Sequence, residues 1–479
     1  MSNQVPLNLK PQPSNTPKSS REHWSFLLNA QRLGLPNKNK KNETARSPFH
    51  KDYDRLIFSQ SFRQLNQKTQ VHPLTNQLGI HTRLTHSLEV SCIGRSLGMM
   101  AAEKLHDSLP AGLPSGISSG DMGVIVQAAC LAHDIGNPPF GHAGEYAIRD
   151  WFSRSEHQPI LESLLPEQRM DLLAYEGNAQ GLRILVNNEH HPNAGGMRLT
   201  CATLGAFMKY PWLAQHSNPS LLSDNQNLVK VNKYGCFNNE AEQLHQLAEK
   251  LKLPRSTQHD GYTRHPLAYL LEAADDICYA LIDIEDGIHL GMLTYQEVEP
   301  LMIKLVGKTR GIPPEVTNNA PVAQKLAALR GRAMMRLVDK VTQAFVTKAD
   351  TMLSGELEGS LFDHCEASVS EHIQEAKLLA RERIFNHPSK VRMELMANRC
   401  LHTLLDAFIP LAITSNQQPS FEQQRLISLI KPHLQNHNRT LNHDVYHNIL
   451  TILDFITGMN DHEAYRLSQD LQGNWSGSI

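Results

Sequence analysis

From Asp52 onward, apolar residues recur with a helical period over most of the chain. Leu84, Leu88 and Cys92 stand four apart, as do Val124, Ala128 and Ala132; this spacing lines side chains along one face of a helix. Alternating β-branched runs, the mark of half-buried strands, are nearly absent. The pattern predicts an all-α protein, a helical bundle with a C-terminal helical extension. Polar interruptions divide it. Residues 1–22, rich in Pro, Ser and Asn, read as disordered. Residues 37–42 read as an exposed loop, and so do residues 110–120, after which Asp121 is placed to cap the next helix. The stretch 217–239 has few periodic apolar positions and reads as a long loop, of the sort that often carries function. The expected division is a core over 23–300 holding the site, and a helical region over 301–479 packed on that core and engaged in oligomer contacts.

Composition narrows the class. Hydrophobic residues make up 40% of 479, enough for a globular core, and no apolar run is long enough to cross a membrane. The first residues lack the apolar stretch of a secretory signal. Seven cysteines are scattered without a CxxC pair, and their number is odd. This fits a reduced, cytoplasmic protein with buried thiols. A net charge of −2 means that a polyanionic ligand must be held by a local basic site. Aromatics are 6% and form no basic-aromatic strip, so nucleic-acid binding is at most secondary. Histidine, at 25 residues, raises the question of which imidazoles stand beside carboxylates at ligand spacing.

Four places answer it: His86 in HTRLTHSLEV, the pair His133 and Asp134 in ACLAHDIGNPPFGH, and an aspartate in EAADDICYALIDIED. Imidazole nitrogens and carboxylate oxygens together suit a divalent first-row metal, or magnesium where waters complete the shell. Adjacent residues do not share a helix face, so His133 and Asp134 need a helix end to converge. Gly136-Asn137-Pro138-Pro139 supplies one. A lone His-Asp pair is common and usually structural; a helix ending in AHD before GNPP is rarer. His142 and Glu145, three apart in GHAGEYAIRDWF, share a face, and a carboxylate beside an imidazole fixes its tautomer and raises its basicity, as a general acid requires. In isolation such a pair is usually a surface contact; its start within a turn of the Pro-Pro break favours the functional reading. Asp275, Tyr279 and Asp283 form one stripe, unusual for a buried helix face. The acid at one end can bind metal while the others read a sugar or base. Asp276, the rival ligand, points about 100° away. Arg83, one turn before His86, is placed to grip a phosphate oxygen. No P-loop is present, so phosphate must be held by metal and cationic side chains.

These residues resemble the HD-domain superfamily and, more closely, the bacterial dGTP triphosphohydrolases. The resemblance rests on ARSPFHKDYDRLIFSQSFRQLNQKTQV at 45–71, HTRLTHSLEV at 81–90, HDIGNPPFGHAGE at 133–145, YEGNAQGLRIL at 175–185, TLGAFMKYP at 203–211, EAADDICYALIDIEDGI at 272–288 and GMND at 458–461, in the family's order. The resemblance implies an HD-domain helical bundle that hydrolyses dGTP, and other dNTPs in some members, to deoxynucleoside and intact triphosphate. It implies His86, His133, Asp134 and Asp275 as metal ligands, for Mg2+ or Mn2+ with Co2+ or Ni2+ as alternatives. His142 would be the catalytic imidazole, supported by Glu145. Arg83 would meet the α-phosphate; Gln70 and Val71 would face sugar and base; Tyr279 and Asp283 would hold the deoxyribose; and Lys209, Tyr210 and Lys233 would meet the phosphate tail. A homo-oligomer, tetramer or hexamer, is implied, together with an effector, either single-stranded DNA or a nucleotide. FRQL departs from the family's more usual FRRL, removing a charge at Gln64. Two rival readings share the ligand set: an HD-type phosphodiesterase or nucleotidase acting on another nucleotide, and a regulatory oligomer with a vestigial site. The intact His142/Glu145 pair argues against the second, and the absence of an HD-GYP signature against a cyclic-dinucleotide form of the first.

Overall fold

The computed structural model describes residues 19–34, 46–70, 80–109, 112–188, 196–214, 233–308, 311–318, 320–413, 418–434, 441 and 443–474. Among these the protein is all-α, as the pattern predicts: helices dominate, and β pairing is limited to isolated bridges such as Thr69 with Thr82. The expected exposed loop at 37–42, residues 1–18 and most of the polar stretch at 217–239 lie outside the described residues. The first helix, Ser20–Leu27, begins inside the segment read as disordered. It buries Trp24 and Leu27, which gives these residues a reason to order. The described end of the polar stretch is not an idle loop either. Tyr234, Cys236 and Phe237 are buried there. Asp171, fully enclosed, accepts hydrogen bonds from Asn238 N at 2.7 Å and from the Tyr446 hydroxyl, and burial pushes its carboxyl up to about 7.

The helices that bear on the site form a close antiparallel pair. Arg83–Ser108 opens on a reciprocal cap between Thr82 and Thr85. Ser119–Ala132 opens on Ser118, with Asp121 returning a bond from the third position. The cap is therefore Ser118, and Asp121 is its reciprocal partner rather than the cap itself. Gly98 lets the two backbones touch: a Cβ there would stand 2.8 Å from Met122 O and 2.9 Å from Gly123 Cα. With the helices in register at Gly98, their far ends bring His86 and His133 to a ring-centroid separation of 5.3 Å. Pro266–His289 packs across both and is buried along most of its length, acidic residues such as Asp283 and Asp286 included.

Two apolar cores result. The first holds these three helices together with Tyr295–Val306, Val322–Thr347 and Ala367–Ala380. The second holds His142–Ser153 with Pro388–Phe408, Val445–Gly458 and Asp461–Leu471. The histidines at 86 and 133 thus belong to one core and His142 to the other. Among the described residues no helix is long and apolar enough to cross a membrane. All seven cysteines are free; five are buried, in line with the expectation of buried thiols, while Cys365 is half-buried and Cys92 is exposed. Cys92 shares a helix face with Leu84 and Leu88, and that face lies at the margin of the core: both leucines are half-buried and Cys92 is exposed.

Candidate metal and nucleotide site

Helix Ser119–Ala132 stops where the sequence requires it. Residues 133–136 form a turn before the two prolines, and the turn swings His133 and Asp134 to the same side. The ligand atoms of His86, His133 and Asp134 lie within 4.8 Å of one another. Asp275, from the crossing helix, completes the ring: its Oδ1 lies 3.2 Å from His86 Nε2 and 3.6 Å from His133 Nε2. Two imidazoles and two carboxylates from two helices and the turn that ends a third converge, and this donor set fits a divalent cation. The other aspartate of the pair, Asp276, faces away to Lys377 at 2.7 Å.

Surrounding groups fix the ligands. His133 Nδ1 meets Cys130 O at 2.7 Å, leaving Nε2 turned to the centre. Asp134 accepts from Asn137 Nδ2 at 2.6 Å and from Arg83 Nη1 at 2.7 Å. Asp275 Oδ2 accepts from Lys209 Nζ at 2.7 Å. Burial alone would push both carboxyls up; the Arg83 and histidine charges overcome this at Asp134, and Lys209 and His133 at Asp275, holding both well below the usual carboxylate range. Both carboxylates are therefore held in the anionic form that a cation ligand requires. His81 anchors the start of the helix bearing His86: its ring meets Asp286 at 2.8 Å and Glu89 at 3.2 Å, and these contacts hold it protonated up to about 10.

His142 opens the next helix, with its side chain 66% exposed. Its Nδ1 lies 2.9 Å from Glu145 Oε2, while Glu145 Oε1 accepts from Gly177 N at 2.8 Å. Burial raises the Glu145 carboxyl, but His142, Arg149 and Lys233 together bring it down to about 2. An ionised Glu145 keeps the proton on Nδ1 and leaves Nε2 facing outward for proton exchange. The turn from Asp134 to His142 passes close to Arg83. Gly141 takes a φ of 60°, and a Cβ there would stand 2.3 Å from Arg83 Nη2; only glycine fits.

The remaining sequence-predicted residues surround this centre unevenly. Tyr279 stacks on Phe385, with ring centroids 5.4 Å apart. Asp283, one turn on, is enclosed with neither carboxylate oxygen hydrogen-bonded, and burial pushes it up to about 7. Tyr210 lies between two cations, Arg264 at 5.3 Å and Lys233 at 5.9 Å from its ring centroid. Lys233 is 3.8 Å from Glu176. Gln70 is half-buried with Oε1 unbonded, and Val71 lies outside the described residues. Gln64 is elsewhere. It lines a surface cavity of about 340 Å³ with Phe455, Glu463 and Arg466, so the missing charge is not one of the groups around the histidines.

Pattern reading missed several supporting groups. Asn137, Arg264, Glu176 and Phe385 had no role, although Asn137 and Glu176 stand in the GNPP and YEGN segments that signalled the site. Arg264 and Phe385 gave no signal, because a single arginine or phenylalanine carries none until the fold sets it beside Tyr210 or Tyr279.

Residues 83–181 match the HD domain family model. A deoxyguanosinetriphosphate triphosphohydrolase-like protein of Pseudomonas aeruginosa is 43% identical over 95% of this chain and 100% of its own. A protein of the same description from Synechocystis is 36% identical over 94% and 99%. The deoxyguanosinetriphosphate triphosphohydrolase of Cronobacter sakazakii is 31% identical over 76% and 77%.

Proposed function

Because this chain belongs to the HD-domain family of deoxyguanosinetriphosphate triphosphohydrolase-like proteins, we propose that it hydrolyses deoxynucleoside triphosphates, dGTP among them, releasing deoxynucleoside and inorganic triphosphate. The observation that carries this reading is the convergence of His86, His133, Asp134 and Asp275, with a His142–Glu145 pair at the end of the turn that leaves Asp134. A divalent cation, Mg2+ or Mn2+, would be held by these four residues and would polarise the α-phosphate while acidifying a bound water.

The chain's own residues supply the rest. Arg83, fixed beside Asp134, offsets charge that grows on the α-phosphate oxygens. His142 gives its Nε2 proton to the departing 5′-oxygen, and Glu145 stabilises the imidazolium before the transfer. Lys209, and Lys233 and Arg264 on either side of Tyr210, form a basic side suited to the β- and γ-phosphates. Asp283, with two buried oxygens lacking donors, is suited to accept from the deoxyribose 3′-hydroxyl. Tyr279, stacked on Phe385, supplies a flat wall against the 2′-carbon. Family membership also supports a cytoplasmic homo-oligomer, a tetramer or hexamer, that answers to a nucleotide or single-stranded DNA.

The direct test is to incubate the protein with each dNTP and Mg2+, Mn2+ or Co2+ and identify the phosphate product. Intact triphosphate is expected. Orthophosphate released from dGMP, with no triphosphate from dGTP, would replace this reading with the nucleotidase one. The Tyr279 wall predicts that dGTP is turned over faster than GTP by on the order of 10–100-fold, and that Tyr279→Ala narrows the gap. Equal rates on the two nucleotides in the unmodified protein would count against a steric 2′-hydroxyl filter.

A further inference from the structure

The turn linking Asp134 to His142 is held by two buried polar side chains far apart in the chain. Lys68 is among the largest fully enclosed side chains, and Asp461 has no exposed surface. Lys68 Nζ donates to Asn137 O at 2.8 Å and to Thr457 O at 2.6 Å. Asp461 Oδ1 accepts from Phe140 N at 2.7 Å, and Oδ2 accepts from Thr69 N at 3.0 Å and from the Thr69 hydroxyl. Asp461 N in turn donates to Gln67 O at 3.4 Å. The first and fourth residues of the turn, Asn137 and Phe140, are therefore each tied to a side chain remote in sequence.

This turn needs such ties. Phe140 and Gly141 are consecutive residues at positive φ, 65° and 60°. Non-glycine residues avoid that region, and it persists only where the surroundings enforce it. The turn also has two tasks at once: Asn137 steadies Asp134 through Nδ2, and Gly141 sets the start of the helix that presents His142. The metal ligands sit on the first core and His142 on the second, so some element must fix one relative to the other.

We propose that Lys68 and Asp461 are positioning residues for the reaction: a buried brace through which the C-terminal helices hold the 137–141 turn, and with it the alignment of His142 to Asp134. The brace touches neither substrate nor metal. The inference rests on the reaction proposed above. It gives the C-terminal GMND segment and the lysine of KTQV a task the nucleotide contacts leave unassigned.

Asp461→Asn is the sharpest test, because it keeps the shape and one acceptor but sets an amide donor against either Phe140 N or the Thr69 donors. Lys68→Met is an independent second variant. Groups that orient active-site ligands typically contribute about 10–100-fold. Both variants are expected to lose that much in kcat for triphosphate release, with KM within about threefold of the unmodified value and melting still cooperative. Hydrogen exchange of the peptide covering 135–145 should quicken, with the rest of the first core unchanged. A kcat within about threefold of the unmodified protein in Asp461→Asn, or unaltered exchange over 135–145, would overturn the brace. If the unmodified protein releases no triphosphate from any dNTP, the proposed reaction fails instead, and the exchange result alone judges the brace.

Discussion

Replacing His142 by alanine is expected to slow dNTP turnover by about two to four orders of magnitude, the usual contribution of a positioned general acid. The fold should be unaffected. The imidazole is 66% exposed and lies at the first position of its helix, so removing it opens no cavity. Its loss strands only Glu145, which keeps the bond from Gly177 N. The leaving group is a 5′-alkoxide, which departs poorly without a proton, so the defect should fall on kcat more than on KM. A substrate with a more acidic leaving group should recover part of the rate, since it needs the proton less. Undiminished turnover of dGTP by His142→Ala at near-neutral pH would remove the residue from the mechanism. Glu145→Gln should act in the same direction but more weakly, because the amide can still orient the ring while no longer stabilising its charged form.

An effect of similar size is expected from Asp275→Asn, with loss of metal binding besides. The carboxylate stands within 3.6 Å of both imidazoles and is held by Lys209. Removing its charge leaves the Lys209 ammonium and two imidazoles around a centre with one anion fewer. Binding of Mn2+, followed by electron paramagnetic resonance, should weaken strongly, and turnover should fall by about a thousandfold or more, the several kcal/mol that a Lewis-acidic cation contributes to phosphoryl chemistry. Asp276→Asn is the control. Its carboxylate pairs with Lys377, and burial pushes it up to about 6, so its neutralisation should leave Mn2+ affinity unchanged. Equal Mn2+ affinity in Asp275→Asn and the unmodified protein would refute the assignment of the ligand ring.

These predictions draw on residues whose legibility differed. The candidate ligands could be read because each sits at a local signal. The AHD run ends against GNPP; Arg83 and His86 share a turn; Asp275, Tyr279 and Asp283 share a stripe. Each needs only helix geometry to acquire a direction. The choice between Asp275 and Asp276 was also a matter of direction, and the fold turns the first to the histidines and the second to Lys377. Arg83 was only half legible. Its proximity to His86 follows from spacing, but its pairing with Asp134 and its packing against Gly141 do not. Leu84, Leu88 and Cys92 show what spacing leaves open: it puts the three on one face, but only packing decides that this face is half-covered at the leucines and bare at Cys92.

The sequence by itself determined the helical class, the ends of the helices that bear chemistry, and the identity of the ligand and proton-transfer candidates. These depend on short-range rules: the 3.6-residue period, proline's missing donor, and glycine's freedom at positive φ. Only the tertiary structure decided that Lys68 and Asp461, 393 positions apart in the chain, meet across one turn, and that the candidate metal ligands and His142 belong to different apolar cores. Contacts between distant segments are set by which buried surfaces fit together, and a charge becomes a partner only once burial removes the water that would otherwise satisfy it. No local pattern carries that information, because the same lysine or aspartate on an exposed face would do nothing.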